Sequence, residues 1–338
     1  MKYVFGPVPS RRLGQSLGVD PVPLKTCNWN CIYCQLGRSR PLVNERRDYL
    51  PPDEIVSEVE QALRAHGPEG IDWITFLGSG EPLLHAHLGG MLREVKALTR
   101  LPVAVITNGS LLYLPAVRDE LSVADAVLPT VDAGTPELYH RINRPHPEIT
   151  YERLIEGLIA FGQEYEGHLW LEVMLMRGVN DTEGALQDIA AELTRIRPRE
   201  VHINLPTRPP AEAWLEPADP EELMRAIARL EQVAPVRAVT PVTGTVELTA
   251  SDTLADAILA VITRHPLHQE ELEWMLVYWD AQQVHAALAE LEATGRAQVV
   301  TRYGRQFWTA AASYFPEARA GGNKTTAQRC RRGVEGSD

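Results

Sequence analysis

The chain has little cysteine and no long apolar run. Four cysteines in 338 residues are too sparse for a secreted disulfide scaffold. No stretch approaches the ~18 consecutive apolar residues of a membrane-spanning helix, and the Met-Lys-Tyr-Val-Phe-Gly-Pro start has no run long enough for a secretory leader. These absences predict a cytoplasmic protein with no membrane partner. A general excess of positive charge is also missing. The net charge is -12, which argues against indiscriminate nucleic-acid binding. What is present is a composition able to build a core: 44% of residues are hydrophobic, which excludes general disorder. The length accommodates one large domain and a smaller one.

The acidity is uneven. Residues 1–50 carry eight Lys/Arg against three Asp/Glu, a net of +5. Arg11, Arg12, Lys25, Arg38, Arg40, Arg46 and Arg47 are therefore candidates for binding an anionic substrate, with solvated surface charge as the competing reading.

Strand-like and helix-like segments alternate to about residue 245. Strands are expected at 16–19, 71–77, 103–107, 126–131, 169–176 and 201–205. Helices are expected at 52–65, 88–99, 151–161, 182–196 and 220–230. Short apolar strands separated by amphipathic helices indicate a parallel sheet with crossover connections, here an α/β fold with an incomplete, TIM-like (β/α)6 barrel. The polar and glycine-rich residues follow the strands, at the sheet edge where such folds bind ligands. After residue 250 the pattern changes to three helices (252–263, 267–274, 281–294) and a hairpin turning at Tyr303-Gly304, a winged-helix-like pattern. The expected domains are a core at 1–248, a winged-helix-like unit at 252–312 and a disordered tail at 313–338.

Cys27, Cys31 and Cys34 lie within eight residues, spaced Cys-x3-Cys-x2-Cys, while Cys330 is remote. Three ligands so close require a loop that curls around the metal, because alternate side chains of a strand point apart. Three thiolates on a 4Fe-4S cubane leave one iron open, and an open metal position suits chemistry. A zinc clip normally needs a fourth protein ligand; His66 and His85 lack motif-like spacing. Inert buried thiols are the remaining reading.

With Tyr33 just before the last cysteine, this motif resembles the signature of the radical S-adenosylmethionine (SAM) superfamily. The resemblance implies that Cys27, Cys31 and Cys34 hold the cluster and that its open iron chelates SAM. Reductive cleavage of SAM then yields methionine and a 5'-deoxyadenosyl radical that abstracts a substrate hydrogen. It also implies a reducing electron donor such as flavodoxin or ferredoxin. Gly78-Ser79-Gly80-Glu81-Pro82 resembles the family's glycine-glycine-glutamate segment, whose carbonyls and Glu81 are expected to accept from the SAM ammonium. Thr107 and Asn108 are expected on the methionine or ribose side. Asp132, Glu172 and Asn204 are further candidates at strand ends, with Glu172 in need of a partner inside its apolar strand. Met174 and Met176 read as core.

Gly6-Pro7-Val8-Pro9-Ser10-Arg11-Arg12-Leu13-Gly14, Asp132-Ala133-Gly134 and Arg141-Ile142-Asn143-Arg144-Pro145 resemble the branch related to wybutosine-synthesis Fe-S oxidoreductases. The second cysteine trio of the tRNA-wyosine synthases is absent from this sequence. The expected substrate is therefore open between RNA and a small anionic molecule. Residues 141–147 read either as a lid with anion-binding arginines or as a hydrated loop. His140, His146 and His202 are proton-transfer candidates by chemistry alone. In the C-terminal unit, Tyr303, Arg305, Phe307 and Trp308 mark a potential nucleic-acid wing, but residues 261–310 carry a net charge of -2, which favours structural or substrate-recognition work. The alternative function is a cluster-bearing regulatory protein acting through this unit.

Overall fold

The computed structural model describes residues 1–10, 12–239, 253–276 and 279–316. Eight strands form one sheet in chain order: β1 (Val4–Ser10), β2 (Gly14–Val19), β3 (Trp73–Phe76), β4 (Val103–Thr107), β5 (Ala126–Pro129), β6 (His168–Met174), β7 (Glu200–Asn204) and β8 (Val236–Ala238). β1 pairs antiparallel with β2, and every later neighbour is parallel. Among the described residues the sheet does not close, so it is the partial barrel expected, with a proline-rich β1 and a three-residue β8 added at its two edges. Pro7 and Pro9 hid β1 from pattern reading, yet an edge strand is where proline is tolerated.

The connecting helices are α1 (Pro52–His66), α2 (Leu88–Leu98), α3 (Pro115–Leu121), α4 (Pro136–Ile142), α5 (Tyr151–Glu164), α6 (Glu183–Ile196) and α7 (Pro220–Leu230). Their starts are written locally. Thr135, Thr150 and Thr182 each accept a backbone N–H from the first turn, and Asp219 with Glu222 forms a reciprocal capping box. Their apolar faces join the strands in one core that includes Leu17, Ile74, Phe76, Val105, Val127, Leu171 and Ile203. Because β2 to β7 run parallel, the residues after them converge on one edge: Asp20, Gly78–Glu81, Asn108 and Asp132, with Asn204 ending β7.

A second core belongs to α8 (Leu254–Arg264), α9 (Gln269–Met275), α10 (Ala281–Ala293) and the hairpin β9 (Ala297–Arg302)–β10 (Arg305–Ala310). This unit sits on the barrel. Arg264 pairs with Asp20 at 3.2 Å, Arg208 with Glu271 at 2.7 Å, and Arg302 donates to the Pro210 carbonyl. Residues 313–316 of the expected tail pack on the barrel as well: Arg38 donates its N–H to the Tyr314 carbonyl, and Ser313 is buried. Residues 317–338, including Cys330, lie outside the described residues, as do Arg11, Tyr278 and the expected boundary near 248–252.

Candidate active site

The cysteine loop follows β2 and is stitched to two neighbours. Asn30 and Ile32 donate backbone N–H groups to the carbonyls of Asn143 and Ile142, and His146 donates to the Asn28 carbonyl. Residues 142–146 are thus a brace for the cysteine loop, neither a lid nor a free loop, and Ile142 and Asn143 are buried. Arg144 does not await an anion: with Arg38 it binds buried Glu212.

On the other side, the Glu81 N–H donates to the Thr26 carbonyl at 2.8 Å. A Cβ on Gly80 would lie 1.9 Å from that same carbonyl oxygen. Glycine is needed at position 80 so that the cysteine loop can lie against the strand end, a closer tie than the ligand approach expected for it.

All three cysteines are unpaired as disulfides, and each sulfur meets a side-chain nitrogen. Lys25 Nζ lies 3.1 Å from Cys34 Sγ, Asn143 Nδ2 3.7 Å from Cys31 Sγ, and Asn108 Nδ2 3.9 Å from Cys27 Sγ. The Trp29 N–H adds a donor to Cys27 at 3.4 Å. Burial pushes the Cys27 thiol up to about 12 and Cys31 well above its ordinary value. Such thiols ionise when a metal takes the proton's place. Soft thiolate donors suit an iron–sulfur cluster, which receives each thiolate on a different iron. The donor set, three thiols each faced by N–H, fits the cluster.

The other sequence candidates gather at this edge, where the protein's own groups also engage them. Glu81 is buried, and its carboxylate accepts from Thr107 Oγ1 at 2.5 Å and from the N–H groups of Asn108 and Leu83 at 2.7 and 2.9 Å. Through these hydrogen bonds it holds the end of β4. Burial raises it to about 7, against the opposing pull of these hydrogen bonds. Ser79 likewise turns to the protein, donating from N and Oγ to Asp20. Gly78 lines a cavity with Ser79. Asn108 also donates to Asn28 Oδ1, tying β4 to the cysteine loop. Asp132 accepts from Tyr33 Oη, Asn143 Nδ2 and the Met174 N–H at 2.7–2.8 Å.

Glu172 has the partner its strand position demanded, Arg12. Both line a cavity of about 480 Å³ together with Cys34, Met174 and Asn204. Met174 therefore faces this space, while Met176 is fully buried core. The roof of the cavity is α8, α9 and the turn between them, including Arg264, Leu267 and Trp274. A smaller cavity of about 270 Å³, lined by Gly78, Ser79, Tyr33 and Asp20, adjoins it through shared Gln35, Leu77, Ile106 and Arg264.

Most of the N-terminal basic residues are engaged elsewhere. Arg46 pairs with Glu120, and Arg40 and Arg47 lie over the rings of Tyr314 and Tyr49. His202 is buried against Glu200 and Trp170, and burial lowers its pKa. Sequence reasoning assigned no role near the sulfurs to Lys25 or Asn143. The position of Lys25, two residues before Cys27, was the only local hint; nothing local joins Asn143 to Cys31.

Comparison with known proteins agrees with this geometry. The model of the "Radical SAM superfamily" matches residues 22–190, half of the chain. The UPF0026 protein MJ1312 of Methanocaldococcus jannaschii is 34% identical over 82% of this chain and 86% of its own length. A Brachyspira hyodysenteriae protein named GTPase Obg is 42% identical over 67% of this chain, which spans only 33% of that relative. A radical SAM methyltransferase structure from Sphaerobacter thermophilus shares the fold, with a TM-score of 0.50 at 18% identity, covering 66% of each chain. No helix among the described residues is long and apolar enough to cross a membrane. By the family model that matches half of its length, this chain belongs to the radical SAM superfamily, enzymes that use a 4Fe-4S cluster and SAM and depend on an electron donor and a substrate.

Proposed function

We propose that Cys27, Cys31 and Cys34 hold the cluster, and that the chain directs SAM-derived radical chemistry at a small molecule held in the 480 Å³ cavity. The observation that carries this reading is the position of Cys34: it lies in the cysteine loop and also lines that cavity. When bound, the cluster and SAM supply an electron and a 5'-deoxyadenosyl radical for hydrogen abstraction; the remaining work is the protein's. Asn108, Asn143 and Lys25 orient the thiols. The Gly78–Ser79 edge bounds the smaller adjoining cavity, which we assign to SAM. Glu81 and Asp132 fix the strand ends and the loop, acting as positioning residues and not as ligand acceptors. Arg12, Glu172 and Asn204 supply polar groups in a largely apolar chamber, an arrangement that orients a small ligand.

The three helices and hairpin, which we read as winged-helix-like, serve as the chamber's cover. Arg302 and Tyr303, on the would-be wing, donate to the barrel carbonyls of Pro210 and Pro206, and Phe307 is buried. That face is therefore occupied by the barrel, which disfavours both an RNA substrate read by the wing and the regulatory alternative. We place the protein in the cytoplasm, where thiols stay reduced and a flavodoxin or ferredoxin serves as donor.

Anaerobic turnover with fractionated cell extract, followed by mass spectrometry, tests the substrate class. A deuterated small-molecule fraction is expected to transfer deuterium into 5'-deoxyadenosine. Transfer from the RNA fraction alone would overturn the small-molecule assignment.

A further inference from the structure

We infer that Lys25 sets the reduction potential of the cluster, and that the C-terminal unit holds Lys25 in place through Arg264, Asp20 and Ser79; this rests on the cysteines holding the cluster. Lys25 has a left-handed backbone, φ 64°, a conformation an L side chain rarely adopts. Two hydrogen bonds hold it there. Its own N–H donates to the Ser79 carbonyl at 2.5 Å, and its Nζ donates to the Gly37 carbonyl at 2.7 Å. The ammonium thereby lies 3.1 Å from Cys34 Sγ.

Ser79 is itself fixed by Asp20, which accepts from its N–H at 3.0 Å and its hydroxyl at 2.6 Å. Asp20 is paired with Arg264 from the C-terminal unit. Gln35, the residue after Cys34, donates to the Arg264 carbonyl at 2.8 Å. The contacts form a ring that runs from Arg264 through Asp20, Ser79, Lys25 and Cys34 to Gln35 and back to Arg264.

The three donors to sulfur are unequal. Asn108 and Asn143 are neutral and lie 3.9 and 3.7 Å from their sulfurs. Lys25 is cationic and closer, and a charge-assisted hydrogen bond is about twice as strong as a neutral one. Reduction adds a negative charge to the cluster, and hydrogen bonds and net charge at the sulfurs tune its potential. A buried cation against Cys34 favours the reduced state and raises the potential.

The test is EPR-monitored anaerobic redox titration of the reconstituted full chain, with iron and sulfide counted per chain. Lys25→Gln is expected to move the midpoint at least 59 mV more negative, a tenfold change in a one-electron equilibrium. Lys25→Arg, which keeps the charge, is expected to stay within that interval of the parent. Arg264→Gln, which removes no hydrogen-bond donor to a thiol, is expected to shift in the same direction as Lys25→Gln by a smaller amount. A cluster-replete Lys25→Gln protein with the parent's midpoint would overturn the inference. If Lys25→Gln holds no cluster, Arg264→Gln decides: a more negative midpoint supports the inference and an unchanged one overturns it. A parent chain that takes up no cluster would overturn the functional reading itself, a result the iron count separates from an unmoved potential.

Discussion

Asp132 accepts hydrogen bonds from three donors, yet burial outweighs them and raises its carboxyl to about 6. Between the ordinary value of 3.8 and about 6, the folded protein keeps a proton that the unfolded chain has released. Stability from this group is therefore full below pH 3.8, falls as pH rises to about 6, and is level above. The loss is on the order of 3 kcal/mol at ~1.4 kcal/mol per pKa unit. Urea unfolding of the metal-free protein from pH 4 to 7 is expected to show this decline relative to Asp132→Asn; a wild-type-minus-variant difference that does not vary with pH would contradict it. The residue scale is also where sequence reading was most uneven. The cysteine trio was legible as a motif because its spacing is local. The partners of Glu81, Asp132 and Glu172 were not, because Thr107, Tyr33 and Arg12 reach them only after the sheet assembles. Asn143 meets Cys31 across 112 positions, beyond the reach of any local pattern.

Two glycines give opposite expectations at the scale of the element. Gly90 lies inside α2, and a Cβ there meets nothing within 4 Å. Gly90→Ala removes unfolded-state freedom without a clash and is expected to stabilise the protein by about 0.5–1 kcal/mol, read by urea denaturation. Gly80 ends in backbone contact with Thr26, so Gly80→Ala must move the cysteine loop. It is expected to lower iron per chain after reconstitution, with far-UV circular dichroism retained; full iron incorporation would show that the loop tolerates the displacement. The elements themselves followed from their sequences wherever periodicity and caps agreed, as in α5, α6 and α7. β1 escaped because prolines mask its alternation, and α3 and α4 because seven residues make barely two turns. Antiparallel β1 matters to the site, since Val4, Phe5 and Val8 line the main cavity.

For the whole molecule, the C-terminal unit was legible as three helices and a hairpin, but its placement was not. It has a core of its own, and long-range polar ties run from it to the barrel, among them Arg264 to Asp20, Arg208 to Glu271, and Arg302 and Tyr303 to barrel carbonyls. Arg208–Glu271 is partly exposed and contributes about 1 kcal/mol or less, whereas Arg264–Asp20 and Arg302–Pro210 are largely buried, where losing one partner costs more. The double variant Arg208→Ala/Arg302→Ala is expected to speed hydrogen exchange in residues 204–210 and 264–276 at least threefold, leaving β3 to β5 unchanged. Equal exchange in those segments would mean that apolar contact alone seats the unit.

Beneath these expectations stands the claim that three clustered thiols at the C-terminal edge of this sheet make the chain a SAM-cleaving enzyme. Anaerobic incubation of the reconstituted, dithionite-reduced protein with SAM, with methionine and 5'-deoxyadenosine quantified by mass spectrometry, tests it most directly. The wild type is expected to form both products in equal amounts, and folded Cys31→Ala to form neither. Cluster-replete wild-type protein that neither binds nor cleaves SAM would contradict it.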